Sequence, residues 1–574
     1  MADFRHTHEE FTSIHSSQSI LKELVVVVGV KNVLTGDAST RRYRTGFRFG
    51  SGNVLAVVRP ANLVELWRVS QKCISANKIV IMQASNTGLT GGSTPDGNNY
   101  DRDIVIISTL RMDKVQLLGG GKQVICFPGA TLHKLEKTLK PLDREPHSVI
   151  GSSCIGASVF GGVSNNSGGA LIRRGPAFTE MALYAQVTES GTLRLVNHLG
   201  IQLGKEPEEI LNRLEEGQYS VADVEWPDRH CSDHNYAQHV REIDATTPAR
   251  FNADTSRLFE ASGSAGRLIL FALRLDTFPH EHETSVFYIG TNSPKELAEV
   301  RREMLASSEP LPIAAEYMHR DAFNMTEVYG KDTFLAIKFL GSDRLQTLFR
   351  LKSCVDALAE RLGLLNLSDK ILQAGSEFFP NHLPRRMLEF REQFEHHLVL
   401  KVAGSEARSV NGYLERKFSA ATGSYFKCSS AEAGAAFLHR FAAAGAAIRY
   451  RAIHSDEVEE IVALDIALRR NDVDWVEKLP SIIENEILHK LYYGHFFCQV
   501  FHHDYIVRKG SAPLDIEHRL WDLLDLRGAE YPAEHNVGHL YKAKPLLASH
   551  YKELDPCNCL NPGIGHTSKL SHWR

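Results

Sequence analysis

The sequence lacks the features that mark several protein classes. No stretch approaches the roughly 20 consecutive apolar residues of a membrane-spanning helix, and the longest apolar runs, residues 24–28 and 268–273, have the length of strands. The first 19 residues have neither the basic start nor the apolar stretch of a secretion signal. No G-x-G-x-x-G motif opens a helix after a strand, and there is no Walker A loop. We therefore expect neither a membrane span nor a Rossmann-type nicotinamide site.

Charge and cysteine content limit the ligands and the cellular compartment that we expect for this protein. The 65 basic and 69 acidic residues give a net charge of −4, so no overall basic field attracts nucleic acid. The nine cysteines form no C-x-x-C pair. Cys557 and Cys559 are separated by one residue, which is poor spacing for zinc. We expect reduced thiols in a cytosolic compartment, and a length of 574 residues is enough for several units with buried cores.

A loop of small residues follows a strand–helix–strand unit near the start of the chain. Residues 54–58 and 79–82 are apolar runs, and Asn62 can cap a helix between them. The chain from Gln83 to Ser93 then reads Gln-Ala-Ser-Asn-Thr-Gly-Leu-Thr-Gly-Gly-Ser. Backbone amides in such a loop can point at an anion. The loop therefore predicts binding of a phosphate-bearing cofactor, although by itself it could also be a solvent-exposed turn.

A second segment of small residues lies further along the chain. Residues 104–107 and 124–127 predict strands and residues 132–139 a helix, after which residues 148–169 are rich in Gly, Ser and Asn. Such a segment makes a poor core but a good wall for a flat ligand, because the backbone can approach closely. Residues 201–250 are polar and predict an excursion, and residues 263–275 predict a return to the sheet.

The second half of the chain has a different character. Residues 343–430 carry more long basic and aromatic side chains, with local basic clusters at Arg385, Arg386 and Arg391 and at Arg449 and Arg451. Such a stretch is usually a solvated face, but it also suits an anionic lipid surface. Residues 431–447 predict an alanine-rich helix.

Histidines and a carboxylate cluster near the end of the sequence. His495 and His502 are seven residues apart, and Glu534 is followed directly by His535. An odd offset on one strand places two side chains on opposite faces, so both histidines can bind one metal only if a turn or bulge separates them. The alternative is two hydrogen-bonded histidines in a buried aromatic strand. Imidazole side chains in general can accept a proton near neutral pH, so His535 can act as a general base, or it can be a structural histidine beside a turn.

The two small-residue segments resemble those of the vanillyl-alcohol-oxidase type family of FAD flavoproteins. The first loop matches the family's Arg-Gly-Gly-Gly-Thr-Gly-Leu-Ser-Gly-Gly, except that Ala84, Ser85 and Asn86 replace three glycines. The second matches through the run from Ser158 to Gly169. Long segments, such as those starting at Arg144 and Phe437, resemble the respiratory, quinone-dependent D-lactate dehydrogenase family of bacteria over nearly the whole chain.

The resemblance implies an α+β fold of the p-cresol methylhydroxylase (PCMH) type, with two FAD-binding subdomains, a cap domain for the substrate and a membrane-associating insertion. Residues 1–275 would form the FAD-binding domain and residues 521–574 a return to it. The cap would comprise residues 276–342, which also begin the insertion, residues 343–430, which include the membrane-associating segment, and residues 431–520.

The resemblance also implies the residues of the site. FAD would be held without a covalent bond, since the first loop offers no His or Cys for attachment. The residues implied for the cofactor are Ala84, Ser85, Asn86, Thr87, Gly88, Gly92 and Ser93 at the pyrophosphate, Gly151, Ser158 and Gly168 beside the ring and ribityl chain, and Leu270 near the adenine.

In related D-2-hydroxyacid dehydrogenases, two histidines and a glutamate bind a divalent metal, and the adjacent histidine is the base. The matching residues are His495, His502 and Glu534 for the metal and His535 for the base, although residues 497–500 lack the family's Gly-Asp-Gly-Asn turn. Glu534 would also be catalytic, because with His495 and His502 it would orient His535, either directly or through a metal. Arg440 would hold the substrate carboxylate, since a guanidinium binds carboxylates with two parallel hydrogen bonds. The alternative for Arg440 is a helix-surface ion pair.

The expected function is FAD-dependent oxidation of D-lactate to pyruvate, with electrons passed to a membrane quinone. The enzyme would bind the lipid surface of the inner membrane peripherally, on its cytoplasmic face, and would not bind nucleic acid. Two alternatives remain at this point: a dehydrogenase of another D-2-hydroxyacid such as D-2-hydroxyglutarate, and a non-enzymatic FAD- or lipid-binding scaffold.

Overall fold

The computed structural model describes residues 17–147, 156–226, 228–341, 366–379 and 381–574, together with positions 352, 355, 356, 359, 362 and 363. The described chain forms three β-sheets, of four, six and seven strands. The first two sheets come from residues before 280, and the third comes from residues after 283.

The first sheet is small and partly parallel. Its strand order is β1–β2–β4–β3, and both β2 and β3 run parallel to β4. As predicted, the connecting helix begins after Asn62, whose side chain accepts a hydrogen bond of 2.8 Å from the amide of Glu65. The elements are helix α1 (17–28), β1 (Val33–Leu34), α2 (Asp37–Arg44), β2 (Ala56–Val58), α3 (Leu63–Ser75), β3 (Ile79–Gln83) and β4 (Ile104–Ser108).

The apolar run at 24–28 does not form a strand. It lies in α1, where Ile20, Leu24 and Val28 are buried and Val26 is 86% exposed. A four-residue spacing of buried positions is the pattern of one helix face. The helical period therefore overrides the strand-like length of the run.

The second sheet is antiparallel, with the order β5–β6–β10–β8–β9 and β7 paired to β10. The strand predicted at 263–275 begins later and runs further, as β10, because residues 263–266 form a turn with positive φ at Gly263, Ala265 and Gly266. The elements are β5 (Val115–Leu118), β6 (Gln123–Cys126), α4 (Leu132–Leu139), β7 (Arg144–Pro146), α5 (Val159–Ser164), β8 (Ala182–Val187), β9 (Leu193–Asn197), α6 (Pro207–Glu216), α7 (Tyr236–His239) and β10 (Ile269–Pro279).

The third sheet has seven strands in the order β14–β11–β13–β12–β16–β17–β15, and every neighbouring pair is antiparallel. The strands are β11 (Thr284–Thr291), β12 (Ala314–His319), β13 (His396–Ala403), β14 (Ser424–Lys427), β15 (Val458–Ala467), β16 (Ile487–His495) and β17 (Val500–Arg508).

Both faces of the third sheet are covered. Along β11, Phe287 and Ile289 belong to one apolar cluster, whereas Val286 and Tyr288 belong to another. This two-residue alternation shows that each face packs against its own layer. The helices after β10 are α8 (Pro294–Ala306), α9 (Arg320–Tyr329), α10 (Lys331–Leu340), α11 (Leu367–Glu377), α12 (Arg385–Gln393), α13 (Ala407–Phe418), α14 (Ser430–Ile453), α15 (Ser481–Glu484), α16 (Pro513–Leu526) and α17 (Pro545–Leu554).

The strand pairing bears on the segment expected to be an insertion, residues 343–430. Strand β13 pairs with β11 and β12 inside the third sheet, and β14 pairs with β11 at its edge. Two strands from this segment, β13 and β14, are therefore part of the third sheet, so the segment is not an insertion throughout. The alanine-rich helix, α14, extends beyond its predicted bounds and begins with a capping box between Ser429 and Glu432.

The C-terminal segment returns to the first sheet. The amide of Val80 donates to the carbonyl of Cys559 over 2.9 Å. The Asn561 side chain donates to the carbonyl of Gly92 over 2.9 Å. The amide of His539 donates to the carbonyl of Thr90 over 2.8 Å. The last part of the chain thereby supports the loop predicted to bind the cofactor.

Candidate active site

A single cavity of about 2150 Å³ lies between the small-residue segments of the first half and the third sheet. It brings together all the predicted site residues that the structure describes. Gly151 is in residues 148–155, outside the described part of the chain. The predicted residues that line the cavity are Ala84, Ser85, Asn86, Thr87, Gly88, Gly92, Ser93, Ser158, Gly168, Leu270, Arg440, His495, His502, Glu534 and His535.

One wall of the cavity, which we call the cradle, consists of residues 84–93 and 156–170. A Cβ atom on Gly92 would lie 2.2 Å from the Asn536 side-chain nitrogen, and one on Gly168 would lie 2.5 Å from Oε1 of Glu534. Both distances are too short for non-bonded atoms, so a side chain at either position would require Asn536 or Glu534 to move. Glycine at these positions lets the cradle backbone pack closely, as a closely held flat ligand requires.

The backbone of the loop tolerates the residues that replace three glycines. Among Ala84, Ser85 and Asn86, only Asn86 has a positive φ, of 53°. Asparagine tolerates this conformation better than most residues, and its side chain also donates to the carbonyl of Thr45 over 2.8 Å. Ala84 and Ser85 do not have a positive φ, so a side chain causes no backbone strain there. The substitutions are therefore compatible with a cofactor loop.

The opposite wall carries the two histidines on a hairpin. Strands β16 and β17 are joined through a turn at residues 496–499, in which Gln499 has a φ of 52°. Tyr493 pairs with His502 across the hairpin, and His495 lies two residues after Tyr493. The rings of His495 and His502 therefore share a face, with centroids 5.3 Å apart. The turn supplies the reversal that the odd spacing requires.

Glu316, on β12, connects the hairpin with Arg440 on α14. Its Oε1 accepts a hydrogen bond of 2.6 Å from Nδ1 of His495, and its Oε2 lies 3.2 Å from Nε of Arg440. All three side chains are largely buried. Burial alone would lower the pKa of His495, but Glu316 and Glu534 raise it to about 10.

Asp465, on β15, fixes the segment that carries Glu534 and His535. Its Oδ2 accepts hydrogen bonds from the amides of Glu534, at 2.6 Å, and His535, at 2.8 Å. Its Oδ1 lies 3.3 Å from Nδ1 of His502. Although burial would raise the pKa of Asp465, the neighbouring His535 and His502 hold it well below its usual range. Asp465 therefore stays a carboxylate that orients both residues.

The donor atoms of His495, His502 and Glu534 lie within 4.8 Å of one another. Nε2 of His495 is 3.3 Å from Oε2 of Glu534. On the other side, Glu534 pairs with the buried guanidinium of Arg250. Burial would raise the pKa of Glu534, but Arg250 and His495 lower it to about 2. The cluster is compact enough to hold one cation.

His535 is the most accessible side chain of this group, with 37% of it exposed. Its ring stacks on that of His502 at a centroid distance of 5.5 Å. Its Nδ1 lies 3.5 Å from Oδ2 of Asp465. A carboxylate behind an imidazole that faces a cavity is the usual arrangement of a general base.

Arg440 lies in the cavity wall rather than on the outer surface of the protein, with 9% of the residue exposed. Its guanidinium carbon sits 4.5 Å above the ring centre of Tyr493. The Tyr493 hydroxyl in turn donates to Asp504 over 2.6 Å. This support fixes the position of the positive charge in the cavity.

Sequence reasoning missed Glu316, Asp465, Arg250 and Asn536. Two of them have a recognisable sequence pattern, since Glu316 and Asp465 are carboxylates with apolar neighbours on both sides, in Ala-Ala-Glu-Tyr-Met and Ala-Leu-Asp-Ile-Ala. A buried carboxylate must find a partner, so it often marks a site. Arg250 and Asn536 lie in loops and are recognisable only from their contacts.

Comparison with known proteins first identifies the fold of the chain. The chain is similar to the solved structure of p-cresol methylhydroxylase with substrate bound, with a TM-score of 0.57 and 11% identity over 96% of this chain and 97% of that one. A family model described as FAD binding domain matches residues 54–196. The protein thus has the PCMH-type fold, with an FAD-binding domain in its first half.

A second family model, described as D-lactate dehydrogenase, membrane binding, matches residues 286–573. The quinone-dependent D-lactate dehydrogenase of Haemophilus influenzae is 57% identical over 97% of this chain and 100% of that protein. That of Escherichia coli is 56% identical over 97% of this chain and 98% of that protein. The chain belongs to the family of quinone-dependent D-lactate dehydrogenases.

Proposed function

We propose that the cavity between the cradle and the third sheet is where this protein oxidises D-lactate. The protein is an FAD-dependent oxidoreductase that converts D-lactate to pyruvate and uses a quinone as electron acceptor. One observation carries the proposal: a wall made mostly of small residues faces a wall that carries charged side chains across one cavity. The first suits a flat cofactor, and the second suits a small charged substrate.

The cradle would hold FAD without a covalent bond. The loop from Ala84 to Ser93 would face the pyrophosphate, Ser158 and Gly168 the ring and ribityl chain, and Leu270 the adenine end. Bound FAD would supply the two-electron acceptor that no amino-acid side chain offers. The protein contributes position and shape, because Gly92 and Gly168 leave no room for side chains.

Arg440 would bind the carboxylate of D-lactate. Its charge is held in the cavity by Glu316 and by the ring of Tyr493. A guanidinium offers two parallel hydrogen bonds to a carboxylate, and these are stronger in a site with little water. This contact would fix the orientation of the substrate's C2 and hydroxyl group.

His535 would accept the hydroxyl proton of the substrate. Its ring is the most accessible one in the cluster. Asp465 accepts a hydrogen bond from the backbone amide of His535 and lies beside its Nδ1. Nε2 is then the nitrogen that faces the substrate, and Asp465 stabilises the imidazolium that forms.

His495, His502 and Glu534 would hold a divalent cation. Each histidine has its Nδ1 against a carboxylate, Glu316 or Asp465, which leaves Nε2 for a metal. This pattern of orienting carboxylates is typical of metal-binding histidines. A bound cation would polarise the substrate's oxygen atoms. Elemental analysis of the purified protein tests the site: His502→Ala should lose the bound metal, whereas the exposed-position variant Leu546→Ala should keep it.

The proposal for the reaction is tested by mixing the purified protein with D-lactate in the absence of oxygen. The yellow flavin absorption should disappear within the turnover time and return when a quinone is added. D-2-hydroxyglutarate should bleach the flavin far more slowly, since the comparisons support D-lactate as the substrate. Flavin that stays oxidised with D-lactate would refute the proposal.

We further propose that the region around α10 and α11 contacts the lipid surface on the cytoplasmic face of the inner membrane. Nine of the 25 exposed large apolar side chains among the described residues lie between positions 328 and 379, including Phe339, Leu362 and Phe378. Phe378 is 90% exposed. No helix in the described part of the chain has the length and apolar character to cross a membrane.

The predicted basic clusters do not supply free positive charge. Arg386 pairs with Glu432, Arg391 with Glu327, and Arg449 with Asp332 and Asp369. Paired arginines attract anionic lipid weakly, so we expect apolar insertion to dominate binding.

The membrane proposal is tested by vesicle sedimentation. Replacing Phe339 and Phe378 together by Ser should weaken binding to phospholipid vesicles at least tenfold, since each buried phenyl group contributes about 1.5–3 kcal/mol. Leu546→Ser, at an exposed position on α17 away from the cavity, is the matched control. Equal sedimentation of all three proteins would contradict the assignment.

For the domains, we propose an FAD-binding unit up to residue 279, a cap that contains the third sheet, and a C-terminal return after α16. The membrane-contacting insertion would end before β13, since that strand lies inside the cap sheet.

A further inference from the structure

The cavity does not end at the substrate residues. It continues along one face of α14, where Phe437, Phe441, Ala444 and Ile448 follow Arg440 or flank it. These positions recur every three or four residues and therefore share a face. The adjacent face of α14, with Ala436, Ala443 and Ala447, is buried in the apolar cluster on one side of the third sheet. One helix thus connects the substrate site with a second, apolar part of the same cavity.

The other side of this part comes from the helices of the apolar surface region. Ala336 and Ile337 of α10 and Ile371 and Leu372 of α11 line it. Charged side chains line the cavity here as well, and among them Arg449 pairs with Asp332 and Asp369. Leu372 is 40% exposed and Ile371 is 58% exposed. The same two helices carry or precede Phe339 and Phe378, which we assigned to the lipid surface. The apolar part therefore leads from the active-site cavity to the proposed membrane face.

The space along α14 is open. A Cβ atom added to Gly434 or Gly445 would meet nothing within 4 Å. Phe441 and Ile448 are 38% and 40% exposed, although apolar side chains on a long helix normally find a packing partner. The helical rise of 1.5 Å per residue places Ile448 about 12 Å from Arg440 along the axis. We name this space, bounded by α14, α10 and α11, the apolar groove.

We propose that the apolar groove is the binding site of the membrane quinone. This inference rests on the proposed function, because it assumes that electrons gained from D-lactate pass to a quinone in the same cavity. The groove does not suit D-lactate, which is small and carries a carboxylate. It suits a molecule with a long apolar chain and a flat headgroup that arrives from the lipid and must reach the flavin. Such a substrate needs a continuous apolar path from the membrane to the active-site cavity.

The test fills the groove without touching the substrate residues. Ala444 is exposed in the groove, and Ala444→Trp would occupy it; Ile448→Glu, at a second exposed position, introduces a charge that repels an apolar chain. Leu546→Trp and Leu546→Glu are matched controls at an exposed position on α17. Each protein is assayed in detergent solution without lipid, with D-lactate and either a short-chain quinone or ferricyanide as acceptor.

We expect Ala444→Trp and Ile448→Glu to lower kcat/KM for the quinone about tenfold or more, equivalent to about 1.4 kcal/mol of lost binding. Anaerobic bleaching of the flavin by D-lactate and turnover with ferricyanide should stay within about twofold of the parent protein, as should all assays of the Leu546 variants. The comparison of acceptors separates quinone binding from a general loss of activity.

Two results would overturn the proposal. In one, quinone turnover in detergent is unchanged and only vesicle binding falls, so that the groove holds lipid rather than quinone. In the other, quinone and ferricyanide turnover fall equally. Failure of D-lactate to bleach the flavin of the parent protein is a different result, because it refutes the proposed function itself.

Discussion

The two walls of the cavity differ in what they present to a ligand. The cradle offers backbone, and at Gly92 and Gly168 even a methyl group would collide with a neighbour. The wall formed by β12, β15–β17 and α14 offers buried charged groups linked by hydrogen bonds, such as Glu316 and Asp465. The first wall selects by shape and the second by charge. Substitutions should therefore fail in different ways: in the cradle by loss of the cofactor, and opposite it by loss of rate with the cofactor retained.

The largest effect is expected at Gly168. In Gly168→Val the new side chain would collide with Glu534 and Arg250, so it should disturb both walls at once. We expect protein purified without bound flavin and without measurable D-lactate oxidation, checked by the ratio of flavin to protein absorbance.

Gly375→Ala is the matched control for Gly168, because a Cβ at Gly375 meets nothing within 4 Å. It should bind a full complement of flavin. If Gly168→Val also retains its flavin and activity, the cradle does not select by shape.

The next effect is expected at His535. His535→Gln removes the group that accepts the substrate proton, so kcat should fall by about 10²–10⁴-fold, the usual contribution of a general base. The flavin content should not change, since His535 lies on the charged wall. Steady-state rates and the flavin spectrum are the measurements. A fall in flavin content in step with the rate would show that the two walls are not separate in function.

A somewhat smaller effect is expected at Arg440. Arg440→Ala should lower kcat/KM for D-lactate by about 10²–10³-fold, because truncating one partner of a buried charge pair costs about 2–5 kcal/mol. Arg440→Lys keeps the charge but not the two-pronged geometry, and it should recover part of this loss. If KM for D-lactate is unchanged in both variants, the carboxylate is held elsewhere.

The smallest effect is expected at Glu517 of α16, which lines the cavity at a distance from the charged cluster. Glu517 is 5% exposed, makes no ion pair with any described residue, and has its pKa raised to about 7 by burial. The folded protein thus binds this proton more tightly than the unfolded chain. Stability is therefore lost as the pH rises from about 4.5 to 7 and stays reduced above that range.

Glu517→Gln should remove this dependence. The variant should be more stable than the parent protein at pH 8, by up to about 3 kcal/mol, and nearly equal to it at pH 4.5. Thermal unfolding at the two pH values measures the difference. An equal gain at both would mean that the carboxyl is not titrating between them.

The two walls also differ in how far the sequence predicts them. The cradle is a local feature: a contiguous run of small residues after a strand predicts backbone exposure, and every described residue expected there lines the cavity. The charged wall is assembled from segments that are far apart in the chain. Glu316 meets His495 because β12 pairs with β16, whereas Arg250 meets Glu534 through a contact between loops. The family resemblance predicted the roles of the histidines, whereas the structure reveals the residues that orient them.

The helical state of residues 24–28 and the place of β13 in the cap sheet show the same limit. A short apolar run suits either a strand or a helix, and burial at positions 20, 24 and 28 decides for the helix. Strand β13 is separated from β12 by the least regular part of the sequence, so only the pairing reveals their adjacency.

The hydrogen bonds between the C-terminal segment and the first sheet have a consequence for biosynthesis. Val80 and Gly92 leave the ribosome long before their partners Cys559 and Asn561 are made. Domains generally fold as they emerge, starting from the N-terminus. Here the nascent chain keeps an unfinished sheet edge until residues 559–561 have been added, so a product that stops short of residue 559 should be degraded or stay colourless rather than act as a partial enzyme.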